Sequence, residues 1–314
     1  MSPAISVVIT SFNDGRFLTR ALESVRAQTL ADWEAVICDD GSTDGTSAQA
    51  AQALAGERVK VVLHPTNRGL AAARNTAIKA AQGRIVVPLD ADDRLPTTAL
   101  SDILRAFADS SVDFAYGHTL EVAWENGAQT LYKSKNGAEF GANGWIPWCG
   151  CSPFSRSLWE RLGGYDESDL FRHAPEDFDF WLRVSTIGAR GQLIDSLLYE
   201  YIRRPNTLGA EFTPQWVAGV FQSLSRPAAR NLARPLRRRV VLHTCLAGAV
   251  YWRRRRKPLA ALGPLFMGLR AFPLSLRLWK AALGCLVEWL IPPLQKRYSE
   301  PFEARHRQAT SHTA

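Results

Sequence analysis

Residues 85–95 read IVVPLDADDRL, an apolar run that ends in three carboxylates, Asp90, Asp92 and Asp93. A short apolar run closed by polar residues predicts a buried strand with its charge at the carboxyl end. Earlier stretches share that pattern: ISVVIT (5–10) leads into SFNDG, WEAVICDD (33–40) ends in Asp39 and Asp40, and VKVVLH spans 59–64. Between and after these runs, FLTRALESVRAQ (17–28), TSAQAAQALAG (46–56), LAAARNTAIKAAQG (70–83) and TTALSDILRAFAD (97–109) read as helices. Strands alternating with helices through short polar turns predict an α/β fold, a mostly parallel sheet covered on both faces. Ligands bind such sheets beyond the carboxyl ends of the strands. Thr10–Asp14, Asp39–Thr46 and Asp90–Asp93 are therefore expected to share one edge.

That edge would gather five carboxylates. Crowded, uncompensated carboxylates raise one another's pKa, and a divalent cation relieves the cost. Oxygen ligands with few His or Cys point to Mg²⁺ or Mn²⁺ rather than zinc, and such ions commonly share coordination with a diphosphate. The residues alone thus suggest metal-assisted chemistry on a nucleotide or phosphorylated substrate. No G-x-G-x-x-G follows the first strand and no G-x-x-x-x-G-K-[ST] occurs, so the dinucleotide fingerprint and the P-loop are absent. A dehalogenase-type phosphatase wants a threonine two residues after its second aspartate, where Arg94 stands. Cys149-Gly-Cys151 is too small for a zinc site, and the five cysteines form no paired framework. This usage suits a reducing, cytoplasmic compartment, and the N-terminus reads as a strand rather than a signal peptide.

From about 112 to 205 the alternation loosens. DFAYGHTLEVAW (113–124) looks like strands, NGWIPWCGCSPFSR (143–156) like an aromatic loop, and SLWERLGGYDE (157–167) like a short helix. A helix follows in HAPEDFDFWLRVSTIG (173–188), then a strand in LLYEY (197–201). Charge then separates. Residues 1–205 carry 20 Lys+Arg against 26 Asp+Glu, whereas residues 206–314 carry 18 against 4. We read 1–205 as the folded α/β domain and 206–314 as a basic helical region. Within it, Leu265, Leu269, Phe272, Leu276, Trp279, Leu283, Leu286 and Leu290 fall on one helix face, kinked at Pro273. A basic amphipathic helix suits an anionic membrane surface, and packing on the body or on another subunit is the competing reading. The Arg runs carry no nucleic-acid-binding motif, and no nucleic acid is expected.

Four blocks in order carry a resemblance: 5–46, NRGLAAARNTAIKAAQGRIVVPLDADD (67–93), GGYDE (163–167) and EDFDFWLR (176–183). Together they resemble a family 2 glycosyltransferase over about residues 4–205. The resemblance implies the GT-A fold, a Rossmann-like sheet that binds a nucleotide-diphospho-sugar, and an inverting transfer. It implies that Thr10, Asn13 and Asp14 lie along the nucleoside. Asp40 takes the uracil edge of a UDP-sugar, beside Asp39. Arg74 reaches the nucleotide and Asp90 the ribose or sugar. By the same resemblance Asp92, with Asp93 beside it, is expected to ligate Mn²⁺ or Mg²⁺ on the diphosphate. The resemblance further implies that Asp177 of the Glu176-Asp177 pair is the general base. A carboxylate at a helix N-terminus is favoured by the helix dipole, which would keep it ionised. The same pair could simply cap that helix. Trp145 and Trp148 are placed near the acceptor by analogy.

One departure stands out. Many relatives carry a histidine after the last strand, where this chain reads YEYIRRPNTLG (199–209), with Arg203 and Arg204. Arginine cannot ligate a cation, but it can pair with a diphosphate. The implied acceptor is a saccharide or lipid-linked saccharide at the cytoplasmic membrane face. The alternative is a non-catalytic nucleotide-sugar-binding or scaffold protein of a glycan-assembly complex.

Overall fold

β1 (Ile5–Ser11), β2 (Trp33–Asp39), β3 (Val59–Leu63) and β4 (Ile85–Asp90) pair in parallel in a computed structural model of the chain. The structure describes residues 2–45, 47–134, 151–172, 175–204, 213–232 and 234–290. The loop with Trp145 and Trp148 lies outside them. β1 is buried along its whole length because both faces of the sheet are covered. Ile5, Val7 and Ile9 meet α1 (Gly15–Arg26), α2 (Ser47–Leu54) and α4 (Ala99–Ala106) in one core. Val8, Val36 and Val86 meet α3 (Leu70–Ala80), α5 (Arg156–Leu162) and α6 (Glu176–Val184) in the other.

The second half of the sheet is mixed. The strand order is β3-β2-β1-β4-β7-β5-β6. Here β5 is Phe114–Ala123, β6 is Gln129–Tyr132 and β7 is Phe154–Ser155. β7 pairs antiparallel with β4 and β5, and β8 (Gly191–Arg203) runs parallel to β5. The stretch read as strands at 113–124 is thus one long strand, and LLYEY is the centre of another. A mixed sheet between helical layers, followed by basic helices, is a GT-A-like Rossmannoid fold.

The chain divides into two compact units, residues 1–210 with 222–236 and residues 211–221 with 237–314. α7 is Pro214–Ser225 and α8 is Arg234–Arg254. α9 (Leu262–Ala271) and α10 (Leu276–Leu290) follow, separated at Pro273, so the expected single helix is two. The apolar stripe divides with it. Leu265 and Leu269 of α9 are buried in the second unit, whereas Leu276, Trp279, Leu283, Leu286 and Leu290 of α10 are exposed. α10 buries its other side, Leu278, Ala282 and Cys285. Among the described residues no helix is long and apolar enough to cross a membrane.

Candidate active site

The sheet register brings the strand ends together. Ser11 pairs with Asp39, and Thr10 with Asp90. Thr10, itself buried, therefore separates the carboxylates of β2 and β4 by two strand spacings, about 10 Å. The expected edge exists, but its residues are used unequally. Asp40 Oδ1 accepts from the Arg68 amide (2.9 Å) and faces His64 Nδ1 (2.7 Å). Asp40 Oδ2 accepts from Asn67 Nδ2 (2.9 Å) and the Gly69 amide (2.8 Å). All four lone-pair directions of that carboxylate are filled from within the chain. Asp39, equally buried, holds only its own turn, accepting from the Ser42 amide (3.1 Å) and hydroxyl (2.6 Å). Gly41 makes the turn possible. Its φ is +69°, and a methyl there would strike the Thr66 backbone. Asn13, at φ 57°, accepts on Oδ1 from the Thr43 and Asp44 amides, tying the β1 turn to the β2 turn.

The turn after β4 divides its three acids. Asp93 faces inward and is 1% exposed. Tyr199 Oη donates to its Oδ2 (2.5 Å) and the Ile202 amide to its Oδ1 (2.7 Å), which ties the acidic turn to β8. Burial and the neighbouring Asp92 and Asp90 push Asp93 well up, against those two donors. Asp90 is the more open, its side chain 36% exposed. Asp92 is raised by burial and by Asp90, and Arg204 opposes the shift. Arg204 donates to Asp92 Oδ2 from Nε (2.8 Å) and Nη2 (2.5 Å), and to Asp14 from Nη1 and Nη2 (3.0 and 3.3 Å).

Arg74 joins this edge to α6. It is buried in an Ala-rich helix, and its guanidinium donates to Glu176 Oε1 (2.7 Å) and to Asp90 Oδ1 (3.0 Å). Two neighbours at the start of α6 therefore differ. Glu176 is buried against Arg74, whereas Asp177 is half-buried, its Oδ1 accepting from the Phe178 amide (2.6 Å). Burial and the adjacent Asp177 push Glu176 up to about 7, with Arg74 pulling the other way. Burial also raises Asp177, again against Arg74. The upward shift runs against the helix dipole that the sequence reading invoked for Asp177. A raised carboxylate is the stronger base.

Two family descriptions match the sequence, "Glycosyl transferase family 2" over residues 6–163 and "Glycosyl transferase family group 2" over residues 85–291. The chain belongs to glycosyl transferase family 2. It is a glycosyltransferase that uses a nucleotide-sugar donor. It is 32% identical over 204 residues to the putative glycosyltransferase EpsE of Bacillus subtilis, covering 63% of this chain and 72% of that one. It is also 32% identical over 114 residues to a protein of Escherichia coli named UDP-Glc:alpha-D-GlcNAc-diphosphoundecaprenol beta-1,3-glucosyltransferase WfgD. That match covers 36% of this chain and 45% of the relative, so the chain spans under half its length. Among solved structures, S. aureus TarS 1-349 in complex with UDP superposes with a TM-score of 0.58 at 18% identity. The match covers 95% of this chain and 88% of TarS 1-349, and at that identity it speaks to the fold alone.

The donor set of this glycosyltransferase suits a hard divalent ion. Asp90, Asp93 and Cys151 each present one atom within 4.8 Å of the others, and could coordinate a metal. The thiol is a soft ligand and both Asp93 oxygens already accept hydrogen bonds, whereas Asp90 and Asp92 each have only one oxygen engaged, by Arg74 and Arg204, which leaves one hard oxygen apiece. Burial raises Asp92 first and repulsion from Asp90 second, and a cation would relieve the repulsion.

The sequence reading missed several supports. Asn75 Oδ1 accepts from Trp159 Nε1 and the Tyr165 amide, while Nδ2 donates to the Tyr165 carbonyl and Glu167. A consecutive Arg-Asn on the buried face of an alanine helix was the available signal. Arg226, which lies in the stretch read as the basic helical region 206–314, instead pairs with buried Asp179 (2.8 Å) and with Asp166.

Proposed function

We propose that this glycosyltransferase moves a sugar from a UDP-sugar onto a hydroxyl of a saccharide or lipid-linked saccharide. The anomeric centre inverts in a single displacement, with Asp177 as general base. The observation that carries this reading is the division between Glu176 and Asp177. Glu176 is fixed on Arg74, which also holds Asp90, so donor side and base side share one buried guanidinium. Asp177 is left half-open with a raised pKa, suited to take the acceptor proton as the C–O bond forms. Support for the donor and acceptor comes from the names of the relatives: UDP-Glc and a diphosphoundecaprenol-linked sugar in the E. coli protein, UDP and UDP-GlcNAc in the TarS complexes.

In this reading Thr10, Asn13 and Asp14 border the nucleoside. The base-recognising carboxylate is Asp39, because Asp40 has no acceptor capacity left. Arg74 acts on the donor indirectly, by orienting Asp90. Asp90 and Asp92 would hold Mn²⁺ or Mg²⁺, which when bound neutralises the charge of the departing diphosphate. Asp93 anchors their turn to β8.

Donor turnover with Mn²⁺ and supplied acceptors tests the assignment. Asp177→Asn is expected to lower turnover by about 10²–10⁴ while UDP affinity is kept. Asp92→Ala is expected to weaken UDP binding in Mn²⁺ as well as turnover. A wild-type chain that binds UDP yet turns over no nucleotide-sugar would leave the non-catalytic binding or scaffold reading in place.

The second unit suits an anionic membrane surface at the cytoplasmic face. The exposed stripe of α10, with Leu274 at 92% exposure before it, is flanked by exposed Arg277 and Lys280. An apolar face with basic edges gains from both acyl burial and anionic headgroups. The full chain is expected to float with phosphatidylglycerol vesicles, and the double variant Trp279→Ser, Leu283→Ser to remain in the pellet fraction. Equal flotation of the two excludes α10 as the docking face.

A further inference from the structure

Arg204 stands where the sequence departs from the family's histidine, and its contacts give that departure a role. Every nitrogen of the guanidinium is engaged. Nε and Nη2 donate to Asp92, and Nη1 and Nη2 to Asp14. The group lies 4.2 Å from the centroid of the Phe17 ring, which itself meets Trp124 edge-on at 5.3 Å. Only 15% of the side chain is exposed. The seat is built from α1: Asp14 occupies the N-cap position but makes no capping bond with its side chain, and Phe17 follows one turn later. A charged group stacked on an aromatic shelf between two carboxylates is held, not trailing in solvent.

We propose that Arg204 is a resident counter-cation of the donor site, which a divalent ion displaces from Asp92 and which then pairs with the donor's diphosphate. The inference rests on the reading of Asp92 as a cation-holding carboxylate. Before donor binds, Arg204 offsets part of the charge of Asp14 and Asp92, so a metal entering alone must compete with a resident cation and gains less than it would at a bare carboxylate. Ion entry frees the edge of the guanidinium that Asp92 held, and a diphosphate offers that planar fork a bidentate anionic partner. Metal and nucleotide therefore bind interdependently, each improving the other's affinity by the same factor. No bond is made or broken in this exchange; one cation is traded between anions.

Mn²⁺ binding, followed by electron paramagnetic resonance on the full chain with and without UDP, tests the exchange independently of turnover. The wild type is expected to bind Mn²⁺ weakly alone and much more tightly with UDP. Arg204→Gln is expected to bind Mn²⁺ alone about tenfold more tightly than wild type, and its gain from UDP should shrink by a similar factor. Arg204→Lys, which keeps the charge and disturbs the fold least, should stay within about threefold of wild type for Mn²⁺ alone. Equal Mn²⁺ affinity in wild type and Arg204→Gln, with the ion bound in both, overturns the exchange and leaves the cation reading standing. No Mn²⁺ binding in any variant, with or without UDP, overturns both.

Discussion

The turns that close β2 and β4 look alike in sequence, each an apolar strand ending in paired aspartates, yet they use their oxygens in opposite ways. Asp40 is filled by four donors from residues 64–69 and serves the fold. Asp92 is held by one side-chain cation, Arg204, that another cation could replace. If Asp92 holds the cation, as proposed above, the difference separates a structural from a functional carboxylate. Both are largely buried, and neither exposure nor position at a strand end distinguishes them. Acceptor capacity left over does, together with whether the partner is backbone, which cannot leave, or a side chain, which can.

Isosteric substitution should break that symmetry most visibly. Asp40→Asn turns one oxygen into a donor facing buried donors, two of the four being backbone amides. The expected loss is about 2–4 kcal/mol, from orphaned charge-assisted bonds. Asp92→Asn leaves Arg204 its Asp14 partner and removes repulsion from Asp90, so stability should change by less than about 1 kcal/mol. Urea midpoints of the two variants give the comparison. Equal losses would mean that Asp92 is as structural as Asp40.

Much of the donor edge was legible beforehand, because it depends on local signals. Apolar runs, turn residues and alternating helices are short-range, and they predicted the strands whose register aligns Ser11 with Asp39 and Thr10 with Asp90. What the residues do with that placement was not legible, because the deciding partners are distant in sequence. His64, Asn67 and Gly69 lie 24–29 residues from Asp40, Glu176 lies 102 from Arg74, and Arg204 lies 190 from Asp14. The same limit hid Arg226, whose carboxylate partners, Asp166 and Asp179, lie before the basic region 206–314 that contains it. It also hid the split of the C-terminal stripe. A proline marks where helices part, but only tertiary packing decides that Leu265 turns inward and Leu276 outward.

The Glu176-Asp177 pair extends the comparison to pH. Glu176 has an ordinary value of 4.5 and is pushed up to about 7 in the folded chain, by burial first and Asp177 second. Between those values the folded state keeps a proton that the unfolded chain has released. Stability from this group is therefore full below about pH 4.5 and is lost as pH rises toward 7, a change on the order of 1–3 kcal/mol. Subtracting the pH–stability curve of Glu176→Gln from that of wild type isolates the slope. A flat difference between pH 4.5 and 7 would mean that Arg74 holds Glu176 ionised throughout.

The smallest effect concerns the clamp that joins the two turns. Asn13 sits in the left-handed region at φ 57° and receives two amides of the β2 turn on one oxygen. Asn13→Gly keeps the backbone conformation and removes only the side-chain acceptor, at a cost of about 1 kcal/mol for an exposed loop. Asn13→Ala removes the same acceptor but keeps the Cβ that Gly lacks, which disfavours the left-handed region by roughly 1 kcal/mol relative to Gly. Urea denaturation of the pair should therefore rank wild type above Gly and Gly above Ala. If Ala and Gly lose equally, backbone conformation is not what fixes this residue. The clamp would then act through its amide oxygen alone, and the β2 turn would hold its shape chiefly through Asp39 and Ser42.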